Sequence, residues 1–187
     1  MPAAKVDNSH HALKRDLRLR ALDGIDATTV RVLDAYAGLG ALWTDVRART
    51  DRDIAYVGID KRPDAPRQML HGDNRKILRS LNLTRFDLID LDDYGIPAEQ
   101  LAIVAERAPG TPVLVTVICQ GNTPVPHLIC RRLGIPVEWA RRTPMGVRRL
   151  GWLRLWDGYC AALGYTRRTG HTVTDTGMIK RYDYLER

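Results

Sequence analysis

Three cysteines, Cys119, Cys130 and Cys160, are too few and odd in number for a disulfide framework, and none stands in a CxxC spacing. The five histidines are scattered, so no metal site is expected. No stretch approaches the roughly 18 apolar residues of a membrane span. Charge from Lys5 onward leaves no apolar run of signal-peptide type. A soluble, cytoplasmic protein is expected, with no membrane or metal partner. Repeats, low-complexity tracts and interdomain linkers are also missing, and 187 residues suffice to bury roughly two-thirds of the unfolded surface. One domain over 1–187 is the expectation, with a basic helix within 1–24 and an Arg/Pro-rich insert at 120–147.

Acidic charge is in short supply: the net charge is +7, and arginine far outnumbers lysine. Residues 131 to 168 carry nine arginines against Glu138 and Asp157, which is the whole of the excess. Such density fits a polyanion whose phosphates supply affinity without sequence choice, and Arg131, Arg132, Arg141, Arg142, Arg148 and Arg149 are the candidate contacts. A solvated basic face in an arginine-rich composition is the alternative. Lys14, Arg15 and Arg18 would extend the phosphate track if residues 9–23 form a basic amphipathic helix with His10 and His11 on its solvated face.

What is present is an alternation of short apolar strands and helices. "TVRVLD", "IAYVGID", "RFDLID" and "PVLVTVIC" read as buried strands, separated by the helical patterns "ALWTDVRAR", "NRKILRSLN" and "PAEQLAIVAERA". The order implies an α/β fold whose mostly parallel sheet is covered on both faces. Residues 120 to 147 read as irregular, "VRRLGWLRLWDGYCAALG" as a helix, and "TRRTGHTVT" with "MIKRYDYL" as an antiparallel hairpin about Asp175-Thr176-Gly177.

The first strand runs into "VLDAYAGLG", in which Asp34, Tyr36, Gly38 and Gly40 form an acidic-x-aromatic-x-Gly-x-Gly pattern. Glycines at a strand's carboxyl end let backbone approach a ligand. Trp43 stands where a dinucleotide fingerprint needs its third glycine, which disfavours NAD. The stretch resembles the first motif of class I S-adenosylmethionine-dependent methyltransferases, a Rossmann-like fold with a seven-stranded sheet ending in an antiparallel hairpin. That resemblance implies S-adenosylmethionine as cofactor. It further implies Asp34 near the methionine amine, Asp60 on the ribose hydroxyls and Asp73 near the adenine amine.

The strand read in "RFDLID" ends in "IDLDDYGIP", residues 89 to 97. This resembles the "DLDP(F or Y)G(S or T)P" run of tRNA guanine-N2 dimethyltransferases at Asp90, Leu91, Asp92, Tyr94, Gly95 and Pro97, with Asp93 in place of the proline. The resemblance covers roughly residues 25 to 120 and the hairpin, without that family's C-terminal domain. It implies methyl transfer to an exocyclic base nitrogen, in RNA rather than DNA, with Asp92, Asp93 and Tyr94 catalytic and Asp90 beside the cofactor. An aromatic amine has its lone pair delocalised into the ring, so acceptors must hold its N–H groups, and a tyrosine can stack on the base. The alternative is a cofactor- or nucleic-acid-binding module on a degenerate methyltransferase fold. Cys119, which ends the strand "PVLVTVIC", is read as a packed thiol rather than a nucleophile. Trp152 and Trp156 are read as core, and Trp139 is left open.

Overall fold

The structure is a computed structural model that describes residues 10–62, 64–66, 68–120, 124–142, 145–175 and 178–187, with backbone alone at 120, 145–150 and 175. The elements in chain order are α1 (His11–Asp23), β1 (Thr29–Asp34), α2 (Ala41–Arg47), β2 (Asp53–Asp60), β3 (Leu70–His71), α3 (Asn74–Ser80) and β4 (Leu88–Asp92). There follow α4 (Ala98–Arg107), β5 (Val113–Gln120), α5 (His127–Arg132), α6 (Val137–Arg142), α7 (Met145–Ala162), β6 (Thr166–Asp175) and β7 (Met178–Glu186).

The seven strands lie in the order β3-β2-β1-β4-β5-β7-β6. The first five in that order run parallel. β7 is antiparallel to both β5 and β6, which makes the expected hairpin. Thr176 and Gly177 of its turn lie outside the described residues, as do residues 1–9. β1 has β2 on one side and β4 on the other, so the sheet reverses its winding between β1 and β4, where ligands of open α/β sheets bind.

Side-chain alternation assigns the two faces. Leu33, Ile89, Leu91, Val113, Val115 and Val117 pack under Leu101, Val104, Trp152, Trp156 and Tyr159 from α4 and α7. Val30, Val32, Leu88 and Leu114 pack on the other face under Leu17, Ala21 and Leu22 of α1 and Trp43 and Val46 of α2. Each such aliphatic or aromatic side chain contributes about 1.5–3 kcal/mol on burial. The period-2 pattern that buries Val30 and Val32 delivers Asp34 to the same face. In β4 it delivers Asp90 and Asp92 after Leu88, so the apolar layer under α1 ends in carboxylates.

Three expectations need correction. Residues 120 to 147 are not wholly irregular: α5 and α6 form there, each started by a proline that presets φ at a helix's first turn, Pro126 and Pro136. α7 begins at Met145, two residues before the expected helix, and ends as expected at Gly164, whose φ of +86° is a left-handed position that favours glycine. Finally, α1 is no phosphate track on its inner side, because Arg18 is 2% exposed, and His10 and His11 are engaged, with Tyr182 and Asp45 respectively. β3, at two residues, is too short for any periodicity to reveal.

Candidate active site

The glycine loop is built by the strands beneath it. Ala35 N donates to Asp90 O at 2.9 Å and Ala37 N to Ile59 O at 3.0 Å, so the chain leaving β1 is held by both neighbouring strands. It then turns through Gly38 at φ +59° and Gly40 at φ +75°. A Cβ on Gly40 would meet Met69 Cε at 3.0 Å, which ties the space above this loop to glycine. A cavity of about 180 Å³ opens there, lined by Leu39, Gly40, Tyr56, Gly58 and Met69 among others.

Asp60 closes β2 and faces the loop. Its Oδ2 accepts from Gly38 N at 2.7 Å and its Oδ1 from Arg62 N at 2.8 Å and Arg62 Nε at 3.3 Å. Each carboxylate oxygen has two lone pairs, so acceptor capacity remains. Arg62 Nη2 is buried beside this loop without a hydrogen-bond partner among the described residues. A buried donor left so is a place for a ligand oxygen. Sequence reasoning missed Arg62; a cation two residues after the strand-end acid was the signal.

Asp34 is 5% exposed, and accepts from Tyr36 N and from the Tyr56 hydroxyl, each at 3.0 Å. It therefore braces the loop from below. Burial pushes its carboxyl well above the ordinary range, Asp90 beside it adds to this, and Arg18 opposes it. Asp73 sits as the N-cap of α3, accepting from Arg75 N at 2.9 Å. Hydrogen bonds from Arg75 hold it well below the ordinary carboxylate range.

The tip of β4 is the most charged part of the interior. Asp90 is 1% exposed; its Oδ2 accepts from Arg18 Nε and Trp43 Nε1, each at 2.8 Å. The structure thus seals Asp90 beneath α1 and α2, where its Oδ2 anchors Arg18. Burial raises its pKa and Arg18 counters this. Asp92, two residues on, is paired with Lys14 Nζ at 2.8 Å and with Arg18 Nη2 at 3.4 Å. Burial works against its charge, but the two cations win and hold it below the ordinary range.

Asp93 and Tyr94 lie past the strand end. Ile118 N donates to Gly95 O at 2.7 Å, which pins this turn to β5. Asp93 is half-buried, and the phenol of Tyr36 faces it and Asn74. Burial pushes the Asp93 carboxyl up. A groove of about 630 Å³ begins at Asp93 and runs between α3, α4 and the first turn of α5. Tyr94 is 61% exposed, just past the carboxyl end of β4.

The arginines of the insert stand apart from this cluster. Arg131 and Arg132 end α5, Arg141 and Arg142 end α6, all four exposed, with Trp139 half-exposed between them. The side chains of Arg148 and Arg149 lie outside the described residues. Cys119, Cys130 and Cys160 are buried free thiols. Among the described residues no helix is long and apolar enough to cross a membrane, and no three His, Cys, Asp or Glu side chains are grouped to hold a metal.

No protein-family model matches the sequence, and no curated protein matches it significantly. Solved structures do match the fold. Trm1 from Pyrococcus horikoshii, in complex with S-adenosyl-L-methionine, superposes with a TM-score of 0.58 at 17% identity, over 94% of this chain and 55% of that one. TYW2 from P. horikoshii, in complex with MeSAdo, gives 0.56 at 14% identity over 100% of this chain and 66% of that one. The cyclopropane synthase MmaA2 from Mycobacterium tuberculosis gives 0.58 at 14% over 94% and 84%. The chain has the class I S-adenosylmethionine-dependent methyltransferase fold, and spans little more than half the length of Trm1.

Proposed function

We propose that this chain binds S-adenosylmethionine and transfers its methyl group to an exocyclic nitrogen of a nucleic-acid base, in RNA rather than DNA, as one methyltransferase domain. The observation that carries the reading is the meeting, at the switch point between β1 and β4, of a cofactor-type glycine loop with an acidic turn that exposes Tyr94. The residues present fit the cofactor. The Gly40 cradle is one a Cβ would fill, Asp60 has lone pairs for a ribose diol, and Arg62 Nη2 is a donor in want of an acceptor. Asp34 and Tyr36 shape the loop, and Asp73, half-buried beside Arg75, is the acceptor for an adenine amine. When bound, S-adenosylmethionine supplies an electrophilic methyl on a positively charged sulfur.

This chain's residues supply the remainder. Tyr94 stacks on the base, which is worth about 1–3 kcal/mol. Arg131, Arg132, Arg141 and Arg142 take phosphates, with Trp139 as a further platform, and Arg148 and Arg149 join them as candidates by their place in the same basic run of sequence. The resemblance of the "DLDDYGIP" run to the motif of tRNA guanine-N2 dimethyltransferases supports a base in RNA as acceptor.

A second reading has its own observation. Lys14 and Arg18 already occupy Asp92, as they would in a module that binds cofactor or nucleic acid without transferring methyl. Calorimetry with S-adenosylhomocysteine, then mass spectrometry of nucleosides after incubation of total RNA and of DNA with S-adenosylmethionine, separates the two. The enzyme reading expects uptake and a methylated nucleoside from RNA. Uptake without incorporation favours the module, and no uptake at millimolar ligand refutes both cofactor readings.

A further inference from the structure

The two adjacent carboxylates at the end of β4 have opposite surroundings. Asp92 shares its face of the sheet with Asp34 and Asp90, and α1 lowers Lys14 and Arg18 onto it. An acceptor whose oxygens are both turned to cations is a weak base with few free lone pairs. Asp93 lies on the side away from α1. It lines the groove along α4, stays half-buried rather than sealed, and faces the Tyr36 phenol. The motif that this turn resembles has proline here, which offers no side-chain acceptor, so the replacement installs a carboxylate where the groove meets the sheet edge.

Resting on the methyl-transfer reading above, we infer that Asp93, and not Asp92, is the catalytic residue that holds the amine of the target base and takes its proton. The nitrogen lone pair forms the new N–C bond as the S–C bond breaks, and that bond's electron pair stays on sulfur, turning sulfonium into thioether. The charge so placed on nitrogen is relieved when an N–H proton passes to the Asp93 carboxylate. The groove then returns that proton to solvent. Asp92 is a positioning residue that fixes α1 to the strand tip.

Burial makes Asp93 more basic than an ordinary carboxylate, which suits a proton acceptor. The groups facing it are Tyr36 from the glycine loop, Asp92 from its own strand and Lys61 after β2. Arg75, Arg79, Glu99, Glu106 and His127 share the groove. Arg75 and Arg79 are both paired to Glu99, so their charge is partly spent before it reaches Asp93.

The test compares the full chain with Asp93→Asn and Asp92→Asn. Three quantities are measured: S-adenosylhomocysteine binding by calorimetry, thermal melting, and methyl transfer to total RNA between pH 5 and 9. Asp93→Asn should bind S-adenosylhomocysteine as the parent does and melt no lower. It should lose about 10²–10⁴-fold in rate, the usual worth of a positioned base, together with the acidic limb of the pH profile. Asp92→Asn should melt lower, because Lys14 and Arg18 lose a partner, yet keep the acidic limb. ¹³C NMR of aspartate carboxyls, without cofactor, should show the resonance that Asp93→Asn deletes titrating above the ordinary carboxylate range. The inference is overturned if Asp93→Asn keeps its rate within threefold, or if Asp92→Asn removes the limb instead. If the parent chain binds no S-adenosylhomocysteine or methylates no RNA, the methyl-transfer reading itself fails and the inference falls with it.

Discussion

Arg18 is the residue whose removal should cost the fold most. Its guanidinium, 2% exposed, donates from Nε to Asp90 at 2.8 Å and from Nη1 to Lys14 O at 2.9 Å, and approaches Asp92 at 3.4 Å. Arg18→Met keeps the length and apolar bulk but leaves Asp34 and Asp90 buried together without their cation. Breaking a buried pair from one side costs about 3–5 kcal/mol. For a chain of this size each kcal/mol is worth about 2–4 °C, so Tm should fall by about 6–20 °C. The double change Arg18→Met with Asp90→Asn removes the stranded charge and still offers Trp43 Nε1 an oxygen, so it should recover more than half of the loss. The pH dependence has a definite sign. Asp34 and Asp90 already titrate above their unfolded values, and losing Arg18 raises them further. The folded chain then binds more protons than the unfolded one between those two values, so its stability falls as pH rises. The variant's deficit should accordingly be larger at pH 8 than at pH 5.5 by calorimetric or fluorescence melting. An unchanged Tm at pH 7.5, or a deficit that grows on acidification, refutes this account of how the strand tip is held.

Tyr94→Ala removes an exposed ring, so its Tm should shift by no more than about 2 °C, while kcat/KM for RNA should drop by about 5- to 150-fold in a methyl-incorporation assay, the equivalent of about 1–3 kcal/mol of stacking. Gly170→Ala would drive a Cβ into Asp183 Oδ1 and set it 3.0 Å from Tyr182 O, and urea titration should register a loss of about 1–3 kcal/mol from this overpacking. Cys119 is 5% exposed, so iodoacetamide should label it far more slowly in the native chain than in urea, with methyl transfer retained until unfolding; rapid labelling with loss of transfer would instead signal thiolate chemistry.

The parts of the site that were legible in the sequence act over short stretches of chain. Asp34, Gly38 and Gly40 lie within one turn, and the strand alternation that buries Val30 and Val32 already says which way Asp34 points. Asp73 stands directly before the helical pattern "NRKILRSLN", and the helix cap it forms is the commonplace use of such a residue. Arg18 and Lys14 were illegible for the converse reason. A charge on a helix normally marks a solvated face, and nothing near Arg18 tells that its partner stands 72 residues later. α5 and α6 hid behind the prolines that begin them, since Pro126 and Pro136 read as breakers in a stretch of six-residue helices. Sequence alternation also could not separate Asp92 from Asp93 in role, because the difference lies in which helix covers each.

β7 is the final strand of the chain but an inner strand of the sheet, seated between β5 and β6. The inner side of α1 rests against Tyr182 and Tyr184 of this strand, so the helix earliest in sequence and the strand latest in sequence complete one another. Without Met178–Glu186, β5 would be a bare edge and β6 would have no partner in the sheet. A substitution that weakens β7 therefore loosens the layer under α1 and the far edge of the sheet together.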